Sequence, residues 1–181
     1  MVTIKLAKWL NEKIFYGWSI VFAAGLLTFF GTGFFSYTRG FFLPELAETL
    51  DNGNRFFISL GFSLATMTGA LISPAIGRYL DRGSPKKIIF LGIVINGFFY
   101  LVLSQASSLL AFYMAVSIGL GVGMICMGGF THHRAILNWF DHWRGRAVSV
   151  AVLGASLAGV AMPAIVEGLI TNYGWQATYQ I

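Results

Sequence analysis

A chain of 181 residues that is 56% hydrophobic and only 10% charged departs from soluble domains, which run at about 45–50% and 25%. That composition excludes an ordinary water-soluble domain and points to helices in lipid. A net charge of +5 would also suit nucleic acid, but the cations sit in short gaps between apolar runs, not on a face interleaved with aromatics, so no nucleic-acid partner is expected.

Residues 1–15 set Val2, Ile4, Leu6, Trp9 and Leu10 against Lys5, Lys8, Asn11 and Lys13. This is the pattern of a short interfacial leader helix with its lysines among the headgroups. No small-x-small cleavage site precedes a soluble domain, so the leader is expected to stay uncleaved. Residues 16–181 then form the bundle. The first span covers 18–38, roughly 20 residues or about 30 Å of helix, with Tyr16 and Trp18 at one interface and Tyr37 at the other. Arg39 to Arg55 reads as a loop carrying Glu45, Glu48 and Asp51. A second span follows at 56–79 and a third at 88–103. Gln105 to Ser108 makes a tight return. A fourth span covers 109–130 and runs on toward Trp139. Asn138 to Arg146 is a second charged stretch, the fifth span is 147–171, and Trp175 opens a partial sixth at 175–181. The expected fold is an all-α membrane bundle of five transmembrane helices plus the start of a sixth.

Between the second and third spans, residues 77–87 hold four cations and one acid. Each would cost about 2.5–3.5 kcal/mol at the bilayer centre, so this stretch lies outside the lipid. Gly83-Ser84-Pro85 ends one helix and starts the next, because Pro fits a first helical turn. Asp81 is placed to pair with Arg78, Arg82 or a cation from elsewhere. Of the 12 Lys and Arg residues, Arg39 and Arg55 alone fall on the other side. The rest mark the leader, the 77–87 segment and the 138–146 region as cytoplasmic, in the cell (inner) membrane.

Small residues recur every fourth position: Gly61, Ala65, Gly69, Ser73 and Gly77 on the second span, Ala111, Ala115, Gly119 and Gly123 on the fourth, Ala147, Ala151, Ala155 and Gly159 on the fifth. In lipid such ridges let backbones approach. They predict a tight bundle. Gly119-x-Gly121-x-Gly123 lies mid-span without a preceding strand and is no nucleotide loop. Cys126 is read as a small packing residue.

Gly77-x-x-x-Asp81-Arg82-x-x-x-Lys86-Lys87 resembles the G-x-x-x-D-R-x-G-R-R segment between helices 2 and 3 of the major facilitator superfamily. Asn138-Trp139-Phe140 followed by Arg144-Gly145 and Ala147 resembles the N-W-F-x-x-x-R-G-x-A run of its monocarboxylate and oxalate/formate branch. Phe15-Tyr16-Gly17-Trp18, Tyr173-Gly174-Trp175 and the stretch from Ser36 to Pro44 are similar to the same branch. The resemblance covers the whole chain. It implies secondary active transport of a small organic anion, often with a proton, by alternating access. It also implies a cytoplasmic gating latch containing Gly77, Asp81, Arg82, Lys86 and Arg144. Such carriers have two six-helix halves, so the chain looks like the N-terminal half, lacking its C-terminal partner half.

Arg39 reads either as an interfacial Arg that snorkels or as a carboxylate-binding cation, since its planar fork suits a carboxylate. Tyr37, Asn96 and His133 join it as substrate-binding candidates. Asn96 also suits interhelical hydrogen bonding. His132 and Glu167 are candidates for proton coupling. No third ligand stands near His132 and His133 at metal spacing, so no metal or cofactor is expected. No paired nucleophile and base lies in the spans, so no enzyme is expected. The alternative to a transporter is a non-transporting membrane fragment or an assembly partner for another half. The charge asymmetry has a direct test: Lys86→Cys should resist an impermeant maleimide added to intact cells and react once the cells are opened. Labelling from outside would invert the orientation.

Overall fold

The computed structural model describes residues 16–51, 54–140 and 143–180. The leader expected at 1–15, and Asp141, His142 and Ile181, lie outside the described residues. Five helices are long and apolar enough to cross a membrane: α1 (Gly17–Leu50), α2 (Arg55–Arg82), α3 (Pro85–Ser104), α4 (Leu109–Leu137) and α5 (Arg144–Thr178). No strand occurs among the described residues.

α1 differs from the sequence expectation. Its turns continue through Asp51, so the segment after Arg39 is helix and not loop. The reason is amphipathic: Phe42, Leu46 and Ala47 are buried while Glu45 and Glu48 face out. Pro44 is accommodated within the helix. At 34 residues α1 is about 50 Å long, well beyond the roughly 30 Å hydrocarbon core. Arg39 therefore lies about 16 Å short of the helix end, not at it.

Helix ends follow local chemistry. The Asn54 side chain accepts a hydrogen bond from the Phe56 N–H at 3.0 Å, and Ser108 accepts one from the Ala111 N–H at 3.3 Å. Both satisfy donors that a helix start leaves unpaired. Pro85 takes the first turn of α3, and Ser84 before it is extended, as Pro requires of its predecessor. The gap between α2 and α3 is thus only Gly83-Ser84, and most of the cationic signature is helical. Asp81 is exposed and makes no ion pair with Arg78 or Arg82 among the described residues; the anticipated local pairing is not formed. α5 ends in a break at Gly174, whose φ of 78° is open to glycine. Beyond it Trp175 donates its indole N–H to Thr49 of α1 at 3.2 Å, and Tyr179 stacks on Phe42 at 4.1 Å. The sixth helix begins against the outer half of α1.

Three helix pairs make the frame. α1 packs on α5, α2 packs on α4, and α3 lies along α4. Small residues set each approach. A Cβ on Gly154 would strike the Gly25 carbonyl, and one on Gly121 would come 2.8 Å from the Ala65 carbonyl. One on Gly92 would come 2.6 Å from Cys126. The buried ridge of α5 is Ala147, Ala151, Gly154, Ala158 and Met162. Its period is the helical 3.6, so it leaves the strict every-fourth pattern at Ala155 and Gly159, which are half-buried. Thr28 ties α1 to α5 by donating its hydroxyl to the Ala151 carbonyl at 2.7 Å.

The frame makes a graded prediction. Gly154→Leu should lower stability by about 1–3 kcal/mol through overpacking, and Thr28→Val by about 0.6 kcal/mol through one lost interhelical bond. Gly145→Ala, whose added carbon meets nothing within 4 Å, should change little. Thermal unfolding in detergent ranks the three, and equal midpoints for Gly154→Leu and the parent would refute the packing account.

Candidate functional site

α1 and α2 each present a polar stripe at the same spacing. On α1 the stripe is Thr32, Ser36 and Arg39; on α2 it is Ser59, Ser63 and Thr66. Offsets of four and seven place each set on one helix face. The two stripes border adjoining cavities of about 340 and 350 Å³, and Arg39 and Thr66 line both. Gly121 and Phe130 of α4 close the first cavity; Leu43 and Phe62 close the second. The result is one cation amid five hydroxyls, with no carboxylate in either lining. Arg39 has no ion pair among the described residues.

The hydroxyls are held by their own helices. Ser63 donates to the Ser59 carbonyl at 3.0 Å, Thr66 to the Phe62 carbonyl at 3.2 Å, and Thr32 to the Thr28 carbonyl at 3.2 Å. Each oxygen keeps lone pairs and a rotatable hydrogen, so each group is able to accept a hydrogen bond or, by turning, to donate one. The cavities also border irregular helix. Six residues of α1 (Thr28–Gly33) and six of α4 (Ala115–Leu120) are π-helical; Thr32 and Leu120 belong to both these turns and the first cavity. Such turns recur at functional sites.

The other sequence candidates fall elsewhere. Tyr37 turns toward α5, where its ring covers Gly159, and does not share the Arg39 cavities. Asn96 is buried on α3 against Gly123 of α4 and borders a separate cavity between α1 and α3. Its Oδ1, and the hydroxyl of Tyr100 one turn on, have no partner. His133 is half-buried, 4.7 Å edge-on to His132, and touches Gly129, which lines the first Arg39 cavity. His132 is fully buried at the cationic end of the bundle. Glu167 is exposed on α5. Of the latch candidates, Asp81, Arg82 and Lys86 are exposed at that same end. Arg144 donates its Nε–H to the Phe140 carbonyl at 2.7 Å. A Cβ on Gly77 would meet nothing within 4 Å, so the close approach expected there is not made among the described residues. Ser59, Ser63 and Thr66 were missed by sequence reasoning; their helical spacing beside Arg39's own stripe was the available signal.

Residues 14–181 match the family description Major Facilitator Superfamily. The MFS-type transporter YcxA of Bacillus subtilis is 29% identical over 159 residues, covering 86% of this chain and 39% of that protein. A Fujikurins efflux protein of Gibberella fujikuroi is 23% identical, over 87% of this chain and 34% of its own length. Monocarboxylate transporter 13 of Rattus norvegicus is 25% identical, over 89% and 37%. This chain thus spans well under half the length of these relatives. No solved structure matches it. With a family match over nearly its whole length and five membrane-capable helices, the chain belongs to the major facilitator superfamily of membrane transporters.

Proposed function

We propose that the chain forms the amino-terminal half of a secondary transporter that moves a small organic anion, a monocarboxylate first, by alternating access. The observation that carries this reading is Arg39: an exposed cation with no ion pair among the described residues, lining two adjoining cavities with five hydroxyls. A guanidinium fork pairs with a carboxylate through two parallel hydrogen bonds. Ser36, Ser63 and Thr66 would take the remaining lone pairs. The length of the relatives and the similarity to a monocarboxylate transporter support the reading. The motif resemblance to the monocarboxylate and oxalate/formate branch is consistent with it. A second, carboxy-terminal half would supply the opposite cavity wall.

The latch fits the same scheme. Asp81, Arg82 and Lys86 stand exposed at one end, near Gly77, and Asp81 makes no ion pair among the described residues. Groups so placed meet a facing half when the gate closes and part from it when the gate opens, so their pairing energy differs between the two states. A proton is the proposed co-substrate, with His132 and Glu167 as its candidate carriers. The amino terminus is placed on the cytoplasmic side.

Two variants separate binding from gating in proteoliposomes that hold the longest reading frame containing this chain, with labelled lactate or pyruvate and an inward proton gradient. Arg39→Gln should lower kcat/KM about ten- to a hundredfold, the value of a charge-assisted hydrogen bond, while Arg39→Lys recovers part of it. Unchanged uptake and affinity in Arg39→Gln would rule out the anchor. Asp81→Asn should lower the turnover rate and leave substrate affinity nearly unchanged; a purely raised KM would remove Asp81 from the gate.

A further inference from the structure

α4 is broken near its inner end. Gly128 is extended between the helical turns that end at Met127 and resume at Gly129, and a Cβ there would come 2.7 Å from the Met124 carbonyl. Gly128, Gly129 and Phe130 line the first Arg39 cavity, so the break opens onto it. Just past the break stand His132 and His133, edge-on with ring centroids 4.7 Å apart.

His132 is only 1% exposed. Its Nδ1 lies 3.2 Å from the Met127 carbonyl. A carbonyl only accepts, so Nδ1 carries the hydrogen, and the Nε2 of the neutral ring keeps a lone pair. His133 sets its Cε1 and Nδ1 at 3.5 and 3.8 Å from where a Cβ on Gly129 would stand, beside the cavity lining. The Nε2 of each ring is buried without a partner. Both atoms are closed off by this chain's own atoms, so neither a sixth helix nor a second half is needed to shield them. A pair that served packing alone would have those nitrogens satisfied.

α1 brings Arg39 to the first Arg39 cavity and Tyr16 to a recess of about 330 Å³ that His132 also walls, where α3 adds Lys86. α2 and α5 bring no titratable group to either space, and no carboxylate lines them. Arg134 and the buried Cys126 stand on α4 itself. The pair is thus bordered by cations and neutral groups.

We propose that His132 and His133 form one proton site, loaded together with the anion at Arg39. The proposal rests on the anion reading of Arg39 and deepens it, joining His133 to His132 and setting Glu167 aside. A proton from water in the Arg39 cavity adds to the Nε2 lone pair of His132 by way of His133, which stands against both Gly129 and His132. No other bond changes, and the proton returns to water when the cavity faces the other side. Rings this close do not both ionise, because like charges in contact oppose each other, so the pair takes one proton. Arg39 and the charged ring repel across the shared cavity. A bound carboxylate cancels that repulsion, so anion and proton each raise the other's affinity. One monoanion and one proton then cross together, with no net charge.

The longest reading frame containing this chain would be made with isotope-labelled histidine and held in nanodiscs. Ring protonation is then read by NMR, with His132→Gln and His133→Gln assigning the two signals; Gln at 132 keeps a donor for the Met127 carbonyl. The pair should gain one proton over about pH 5–8, and saturating lactate should move that midpoint upward. Two protons taken up in one step, or a midpoint indifferent to bound lactate, would overturn the proposal. In proteoliposomes, His133→Gln should lower proton-driven lactate uptake about tenfold more than it lowers lactate exchange. Equal loss of both would mark a structural defect and also overturn it. A parent that exchanges no lactate would remove the anion reading and this proposal with it, whereas exchange with its proton drive intact in His133→Gln would remove the pair alone.

Discussion

Lipid gives a helix no hydrophobic reason to leave it, because hydrocarbon tails are as apolar as leucine. Association then depends on how closely two backbones come together. That constraint explains why this bundle turns on contacts such as Gly154 against Gly25 and Gly121 against Ala65, where a single added carbon would collide. It also explains the bond from Thr28 to the Ala151 carbonyl: at such separations a short hydroxyl reaches the neighbouring main chain. With α1 locked to α5 and α2 to α4, the stripes on α1 and α2 are held at a fixed separation. The Arg39 cavities are what remains between them.

Arg39 has to be weighed against its cost. A guanidinium at bilayer depth would lose about 2.5–3.5 kcal/mol on insertion scales, and no acid among the described residues pairs with this one. Five hydroxyls soften the surroundings but carry no charge. The cavities ease the difficulty in part, since at about 340 and 350 Å³ they are large enough to admit water beside the group. A recess holding a cation with no ion pair among the described residues is a poor packing element, and any charge pairing made there would strengthen as water is excluded.

Much of this was legible in the residues. Charge-poor apolar runs gave the five helices, and Gly83-Ser84-Pro85 and Gly174 gave two of the breaks. The run from Arg39 to Asp51 was misleading because four charges and Pro44 resemble a loop; burial of Phe42, Leu46 and Ala47 on one face overrides them. The α5 ridge was read one residue off after Ala151, since a four-residue rule drifts from the true helical period. Ser59, Ser63 and Thr66 escaped notice because hydroxyls in apolar helices commonly serve their own carbonyls. Only the facing stripe with Arg39 gives them meaning. Asp81's partner was sought in Arg78, Arg82 or a cation from elsewhere, and with neither arginine does it form an ion pair among the described residues.

α1 is asked to serve three faces at once. Gly25, Thr28 and Gly33 meet α5; Thr32, Ser36 and Arg39 border the first Arg39 cavity; Ala23, Leu27 and Phe30 line the space between α1 and α3. A regular helix keeps each face straight. The π-helical turns at Thr28–Gly33 add a residue to the local turn, which advances everything beyond by about 100°. The shift lets Thr28 stay on α5 while Ser36 and Arg39 swing toward α2. A π-turn at Ala115–Leu120 does the same for α4 where it borders that cavity. Such turns carry weaker hydrogen bonding than regular helix, and both border the cavity that Arg39 lines. Position and softness coincide where an alternating cavity would have to bend.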